Sequence, residues 1–289
     1  MKKALVIGGS GFLGSHVADC LTNEGYDTTI FDKNKSPWLN KKQKMIIGDI
    51  LDKKVLNLAV AKANFVYNFA GISDLNMALD KPIRSAEMNI IGNLNILEAC
   101  KKYKIKRFCF ASTVYAESKE GGFYRCSKIA SEKYIEEFQK IYGLNYTILR
   151  YGSLYGPRAD SNNGMLKIIT KAVNEKKLLY EGHEDTTREY IHVLDAAEAT
   201  VSILDKKFKN QTLNLTGQQS IKVTDLLKMI GEILGISKSK IKIINKPQVG
   251  HYIQTPYALT KNFTKKLVPN HYIDIGEGIL QVINDLKNT

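Results

Sequence analysis

The stretch Gly8-Gly9-Ser10-Gly11-Phe12-Leu13-Gly14 constrains the fold more than any other feature of this 289-residue chain. The apolar run Lys3 to Ile7 before it is typical of a buried strand, and the apolar residues after it recur at helical spacing. Glycines allow a tight turn and a close approach of backbone to ligand, and a helix N-terminus presents free amides to a pyrophosphate. The pattern therefore predicts a dinucleotide site with contacts from Gly8, Ser10, Gly11, Phe12, Leu13 and Gly14.

Acidic residues follow the next two apolar stretches. Asp32 ends the strand Thr28 to Phe31, about twenty residues after the glycines, where a carboxylate binds the adenosine ribose hydroxyls and repels a 2′-phosphate. NAD is therefore favoured over NADP, although Lys33 beside Asp32 keeps NADP open. Asp49 and Ile50 follow the next short strand, and we expect this turn to meet the adenine edge.

Strands and helices alternate along the first half of the chain. Further strands are predicted at Phe65 to Phe69, Phe108 to Ala111 and Tyr146 to Arg150, with a long helix from Ile83 to Tyr103. This alternation predicts an α/β fold, a Rossmann-like doubly wound parallel sheet with helices on both faces. Ligands of such sheets bind at the carboxyl ends of the strands, where we expect further cofactor contacts from Phe69, Ala70 and Gly71.

The composition changes after Tyr155 to loops and shorter elements, which indicates a smaller C-terminal α+β substrate lobe. We predict that residues 1–155 plus about 189–218 form the dinucleotide-binding domain. Residues of about 156–188 plus 219–289 would then form the lobe.

The net charge of +13 raises the question of a nucleic-acid partner. The basic residues form scattered clusters along the sequence, and arginines do not alternate regularly with aromatic residues. This distribution favours an ordinary solvated surface over a nucleic-acid-binding face. No apolar run approaches the length of about eighteen residues that spans a membrane, and the apolar start is too short for a signal peptide. The four cysteines lack metal-type spacing, so we expect reduced thiols, no metal and a cytoplasmic location.

Tyr124 and Lys128 lie one turn apart near the start of a predicted helix, Phe123 to Tyr142. A free tyrosine, with a pKa of about 10, is a poor base at neutral pH. A lysine charge about 4 Å away, at an effective dielectric near 20, supplies roughly 4 kcal/mol, which is enough to lower that pKa by about three units. The pair permits a tyrosinate base, but such pairs are more often ordinary surface neighbours.

Several further motifs, in this order, extend the pattern over nearly the whole chain. They are Gly8 to Gly14, Asn68-Phe69-Ala70-Gly71, Met88-Asn89, Ser112-Thr113-Val114-Tyr115, Tyr124 with Lys128, Arg150-Tyr151, Tyr155-Gly156-Pro157-Arg158, and Arg188-Glu189-Tyr190-Ile191-His192-Val193 with Asp195. Together they resemble the extended short-chain dehydrogenase/reductase family, in particular its NAD-dependent nucleotide-sugar epimerases and dehydratases.

The resemblance implies NAD as cofactor, a nucleotide-diphosphate sugar as substrate and a homodimer formed through the two long helices. It implies Tyr124 as general base, Lys128 as the residue that lowers its pKa and holds the nicotinamide ribose, and Thr113 or Ser112 as the hydroxyl that binds the reacting sugar. Tyr151 is implied as a further cofactor contact. The implied substrate contacts are Asn89, Ser153, Arg158, Arg188 and His251, of which Arg188 would grip a phosphate or be an ordinary strand-start arginine. His192, inside an apolar strand, is expected to pack in the core.

One departure from the family narrows the reaction. Its dehydratases carry Asp-Glu directly after the threonine, whereas this chain has Val114-Tyr115 and no acid before Glu117. We therefore predict an NAD-dependent epimerase that acts at the sugar 4-position through a 4-keto intermediate. An NAD(P)-dependent dehydrogenase or reductase of a keto-sugar nucleotide is the first alternative, and a non-catalytic RNA-binding relative is the second.

Overall fold

The computed structural model describes residues 2–256, 264–269 and 271–287. Its strands are β1 Lys3–Ile7, β2 Asp27–Asp32, β3 Lys44–Ile47, β4 Phe65–Asn68, β5 Arg107–Thr113, β6 Tyr146–Tyr151, β7 Ser153–Tyr155, β8 Leu178–Glu181, β9 Thr187–His192, β10 Gln211–Leu215, β11 Ser220–Lys222 and β12 Ile241–Ile244. Within the described residues, seven of them form one parallel sheet in the order β10-β6-β5-β4-β1-β2-β3. The strand order reverses between β1 and β4, which is where such sheets bind ligands.

Helices cover both faces of this sheet. The helices of the described residues are α1 Phe12–Asn23, α2 Lys53–Val60, α3 Leu75–Asp80, α4 Pro82–Ala86, α5 Gly92–Lys102, α6 Gly122–Tyr142, α7 Gly164–Glu175, α8 Val193–Ser202, α9 Val223–Leu234 and α10 Ile275–Lys287. Successive residues of β1 point to opposite faces. Ala4 and Val6 pack with α1 and α8, whereas Leu5 and Ile7 pack with α2, α5 and α6. The predicted doubly wound sheet is thus confirmed.

The predicted long helix from Ile83 to Tyr103 is observed in three consecutive pieces. A π-helical turn, Glu87–Ile91, lies between α4 and α5. The sequence pattern did not predict α2 and α3, which are short; each begins after an aspartate whose carboxylate accepts hydrogen bonds from the first turn, Asp52 and Asp74 respectively.

The C-terminal part of the chain has a core of its own. Residues of α7, α9 and α10 pack around β8, together with Tyr155 at the end of β7. Two small sheets, β11-β9-β7 and β12-β8, accompany these helices. The exact split of the chain into two domains stays a prediction. Among the described residues, no helix combines the length and the apolar character needed to cross a membrane.

Candidate active site

The glycine turn between β1 and α1 is packed so tightly that side chains are excluded. Gly8 has φ +80°, and a Cβ placed on it would lie 2.6 Å from the backbone nitrogen of Ala70. A Cβ on Gly14 would collide with the carbonyl oxygen of Gly8. The first turn of α1 therefore lies directly against the ends of β1 and β4, with its free amides at the switch point of the sheet.

A cleft of about 320 Å³ opens at this edge. Its lining includes most of the predicted cofactor contacts, namely Gly8, Gly11, Asp32, Asp49, Ile50, Phe69, Ala70 and Gly71. The carboxylate of Asp32 accepts hydrogen bonds from the backbone nitrogens of Ser10, at 3.1 Å, and Asn34, at 3.0 Å. A concave site with a side-chain-free turn, a helix N-terminus and an acid at the end of β2 fits a dinucleotide with free ribose hydroxyls. We call it the first cleft.

Three predicted cofactor contacts lie elsewhere. Leu13 and Gly14 are buried inside the first turn of α1, and Phe12 lines a second cleft described below. The Tyr151 ring lies in the core between the sheet and α8, where its hydroxyl lies 2.7 Å from that of Thr200, and the cofactor contact of this residue stays a prediction.

The predicted catalytic side chains converge beside the first cleft. Tyr124 and Lys128 project from the start of α6, and Thr113 ends β5 and hydrogen-bonds the Tyr124 hydroxyl. The Lys128 ammonium donates to the carbonyl of Ala111 at 2.8 Å and lies 5.9 Å from the centre of the Tyr124 ring. A Cβ on Gly71 would come within 4.0 Å of the Lys128 nitrogen, so the lysine reaches the first cleft.

Burial dominates the protonation of this pair. It raises the pKa of Tyr124 to about 12, although the hydrogen bond from Thr113 acts in the opposite direction. It also lowers the pKa of Lys128 to about 8, against the opposing charge of Glu132. The expectation that Lys128 lowers the pKa of Tyr124 is therefore wrong for the protein alone, since the ammonium bonds a carbonyl rather than the phenol and desolvation prevails.

The structure separates the two candidate hydroxyls. Neighbouring residues of a strand point to opposite sides, and Thr113 faces Tyr124 while the hydroxyl of Ser112 donates to the carboxylate of Glu132. Of the two hydroxyls, Thr113 is therefore the one that meets Tyr124.

A second cleft of about 670 Å³ is lined by Tyr115, the neighbour of Tyr124. Three of the predicted substrate contacts, Ser153, Arg188 and His251, line this cleft, and their contact with a substrate stays a prediction. The Arg188 guanidinium stacks on the Tyr252 ring, with its central carbon 4.1 Å from the ring centre, and it donates to the carbonyl of Thr187 at 2.8 Å. This arrangement fixes a cation on an aromatic platform at the cleft wall.

Tyr115 and Tyr252 are functional candidates that the sequence reasoning missed. The Tyr115 ring meets Tyr124 edge-on at 6.3 Å, and its hydroxyl lies 3.2 Å from Nδ1 of His251. Burial and the nearby Arg188 lower the pKa of His251, so its imidazole is neutral at pH 7. Tyr115 could have been found from its place after the β5 hydroxyls, whereas no local signal marks Tyr252.

Two predicted substrate contacts lie outside both clefts, and their contact with a substrate stays a prediction. Asn89 uses its side-chain amide inside the protein, accepting from the nitrogen of Ile72 at 2.7 Å and donating to the hydroxyl of Ser127 at 2.8 Å. Arg158 pairs with Asp19 at 2.8 Å on the outer side of α1. Neither residue lines either cleft.

His192 is buried as predicted. It is 1% exposed, and burial lowers the pKa of its imidazole to about 4. It caps the N-terminus of α8 by accepting from the nitrogen of Leu194. Its role is structural.

A parallel sheet with a glycine turn at its switch point, an acid at the end of β2 and a tyrosine, lysine and threonine at the end of β5 define a dinucleotide-dependent enzyme of the short-chain dehydrogenase/reductase type. Residues 4–216 match the family described as "NAD dependent epimerase/dehydratase family", and the chain belongs to that family.

Known relatives are similar over the full length of the chain. A protein of Methanocaldococcus jannaschii named "Putative UDP-glucose 4-epimerase" is 30% identical over an alignment of 310 residues that covers 98% of each chain. The crystal structure of UDP-glucose 4-epimerase from Thermotoga maritima with UDP-glucose is 26% identical, with a TM-score of 0.84 and 99% of each chain covered. The UDP-glucose 4-epimerase of Thermus thermophilus in complex with NAD is 25% identical, with a TM-score of 0.82 and the same coverage. These likenesses confirm the predicted family, fold class, enzyme class and NAD cofactor.

Proposed function

We propose that the protein is an NAD-dependent epimerase that inverts the 4-position of a nucleotide-diphosphate sugar. The observation that carries this proposal is that the neighbours of Tyr124 connect it to both clefts. Lys128 reaches towards the first cleft, and Tyr115, which lines the second cleft, touches the Tyr124 ring. A sugar in the second cleft would therefore present its reacting carbon to both the base and the cofactor site.

Each residue of this site has a distinct task in the reaction. NAD, when bound, supplies a hydride acceptor and a cationic ring. Tyr124 takes the proton of the sugar 4-hydroxyl, and Thr113 holds that hydroxyl against the phenol. Because burial holds the pKa of Tyr124 at about 12 in the protein alone, the phenol is neutral at pH 7 until positive charge is added beside it. Lys128 supplies a buried ammonium on the cofactor side.

Arg188 is the proposed anchor for the diphosphate. Its guanidinium lies over the Tyr252 ring and Nη1 donates to the carbonyls of Thr187 and Ile253, so Nε and Nη2 are the groups that would donate to oxyanions. The relatives with bound UDP-glucose and NAD support a UDP-sugar as the first substrate to test.

We also propose that the protein acts in the cytoplasm and has no nucleic-acid partner.

We propose further that it forms a homodimer through the helices α5 and α6. Support for the dimer comes from large apolar side chains exposed on this side of the molecule. Tyr134 and Ile141, two turns apart on α6, are 46% and 66% exposed, and Ile91 before α5 is 50% exposed. Light scattering of the wild type and of Ile141→Glu tests the dimer: the variant should be monomeric.

The activity is tested by proton NMR in deuterated water with a panel of UDP-, GDP-, dTDP- and CDP-sugars and no added cofactor. A new anomeric signal without deuterium incorporation is the expected result, and the sugar that produces it is the substrate. Turnover that occurs only when NAD or NADH is supplied, with stoichiometric change in NADH absorbance, would instead identify a dehydrogenase or reductase.

A further inference from the structure

A buried carboxylate lies directly behind the Tyr124–Lys128 pair. Glu132, one turn after Lys128 on α6, is 1% exposed. Arg150 donates to both of its oxygens, from Nε at 3.0 Å and from Nη2 at 2.6 Å, and the hydroxyl of Ser112 donates to one of them as well. Three charge-assisted or neutral hydrogen bonds from β5 and β6 thus hold the carboxylate in one orientation.

Arg150 is itself shared between two carboxylates. Its Nη1 donates to Glu117 at 2.7 Å, and the other oxygen of Glu117 accepts from Asn214 at 3.1 Å. Thr264 also donates to Glu117. One guanidinium between two carboxylates leaves a net negative charge, and Lys128 lies one turn before Glu132 on α6, where the charge of Glu132 acts on it.

Lys128 is a buried cation that this negative charge can stabilise. The ammonium has one neutral acceptor, the carbonyl of Ala111, and it lies over the Phe110 and Tyr124 rings, 4.8 Å and 5.9 Å from their centres. Among the described residues, Glu132 is the charge that raises the pKa of Lys128, against the burial that lowers it. A buried ammonium that lacks a nearby anion loses its proton easily.

We propose that Glu132 is a positioning residue: its fixed carboxylate keeps Lys128 charged and, through Ser112, ties the end of β5 to the helix that carries Tyr124. Its effect on turnover rests on the proposed function, whereas its effect on Lys128 does not. A role in packing alone would not require charge, because buried ion pairs can often be replaced by apolar residues of similar volume without loss of stability.

The titration of Lys128 tests the proposal directly and needs neither cofactor nor substrate. Glu132→Gln removes the charge at nearly constant shape, and Glu137→Gln, which alters only an exposed pair with Lys140 on the same helix, is the matched control. Lysine labelled with ¹³C at Cε would be followed by NMR, with Lys128→Met to assign the signal. The midpoint should lie near pH 8 in the wild type and in the control, and at least about one pH unit lower in Glu132→Gln. An unmoved midpoint would overturn the proposal.

Turnover gives a second readout. In Glu132→Gln the fall of kcat on the alkaline side should begin at lower pH, with about a tenfold loss at pH 8 and a smaller one at pH 6, and Glu132→Asp, which keeps the charge, should restore the wild-type midpoint. An equal loss of kcat at every pH would show a structural role only. If Glu132→Gln does not fold, the triple variant Glu117→Gln/Glu132→Met/Arg150→Met removes both carboxylates together with the arginine between them, and the Lys128 midpoint should fall in it too.

The two proposals fail separately. Absence of turnover of any nucleotide sugar by the wild type, with a Lys128 midpoint that still depends on Glu132, would refute the proposed reaction and leave the role of Glu132 intact. Normal epimerisation with a Lys128 midpoint that is the same in Glu132→Gln as in the wild type would support the proposed reaction and refute the role of Glu132.

Discussion

The two clefts near Tyr124 are built in different ways. One end of the first is backbone, formed by the glycine turn and the N-terminus of α1 at the ends of β1 and β4, and charged side chains complete its lining: Asp32, Lys33, Asp49, Lys81 and Arg84. The second is assembled from side chains of distant segments, such as Tyr115, Arg188 and His251. The backbone end of the first cleft is specified locally by residues without side chains, whereas the second cleft depends on how separate elements pack.

This contrast predicts different failures. A substitution in the first cleft should affect the fold and the retention of cofactor together. A substitution in the second should affect substrate affinity while the protein and its cofactor remain intact. A substitution of Tyr124, which lines neither cleft and contacts Tyr115 of the second, should affect the chemical step alone.

The largest effect is expected for Tyr124→Phe. Loss of the general base should lower kcat by about 10³-fold, while the fold and the bound NAD are retained. Tyr134→Phe, on the exposed side of the same helix, is the control and should keep wild-type turnover. Steady-state kinetics on the substrate found by NMR measures both; turnover of Tyr124→Phe within threefold of the wild type would sink the mechanism.

Gly14→Ala should have the next largest effect. The added Cβ meets the carbonyl oxygen of Gly8, so the turn must open and the amides that face the pyrophosphate must move. We expect at least about a tenfold weaker affinity for NAD, measured by calorimetry, and a lower melting temperature. Gly164→Ala, at the start of α7 where a Cβ meets nothing within 4 Å, is the control. Equal NAD affinity in the two variants would show that the close packing of the turn is irrelevant to binding.

Arg188→Met and Arg158→Met form a matched pair for the second cleft. Loss of a charged donor to a phosphate costs about 1.5–3 kcal/mol, so Arg188→Met should raise KM by about 10- to 100-fold with little change in NAD content. Arg158 pairs with Asp19 outside the clefts, and its variant should keep the wild-type KM. The reverse result would restore Arg158 as the substrate contact that the sequence pattern suggested.

The smallest effect concerns the contribution of Lys128, beside the first cleft, to the free energy of unfolding of the protein. Burial lowers the folded-state pKa of Lys128 to about 8, below the unfolded value of 10.5. Between these two pH values the folded state therefore binds fewer protons than the unfolded state. Buried Lys128 thus destabilises the folded protein fully below pH 8, and this destabilisation declines as the pH rises towards 10.5. Lys128→Met should accordingly be more stable at pH 7 by roughly 1 kcal/mol, after the lost hydrogen bond to Ala111 is subtracted.

Chemical denaturation at several pH values measures this difference, with the exposed Lys133→Met as control. The advantage of Lys128→Met should shrink between pH 8 and 10. A constant advantage, or none at pH 7, would show that Lys128 causes no such destabilisation.

The sequence was informative where one residue type has one physical use. Gly8 and Gly14 identify the turn because no side chain fits there, and the alternation of strands and helices gives the parallel sheet. Thr113, Tyr124 and Lys128 come together as predicted because each lies close to the carboxyl end of β5 or at the start of the helix that follows it.

Other expectations stay predictions, because a side chain has several possible partners. Asn89, Arg158 and Tyr151 carry the expected groups, but a backbone segment, Asp19 and Thr200 respectively engage them. The prediction for the protonation of Tyr124 is wrong for a different reason. Helical spacing gives the distance between two residues, but it gives neither their burial nor the direction of the Lys128 ammonium, and these two decide the pKa.

The most direct test of the account is the fate of the hydrogen at the sugar 4-carbon. The purified protein, without added cofactor, would convert a 1:1 mixture of unlabelled and 4-deuterated forms of its substrate in ordinary water, followed by mass spectrometry and proton NMR. If hydride leaves carbon 4 for NAD and returns to the same carbon within one site, every deuterium remains on carbon 4 of the product, and the labelled form turns over more slowly. Loss of deuterium to water, or product inverted at any other carbon, would contradict it.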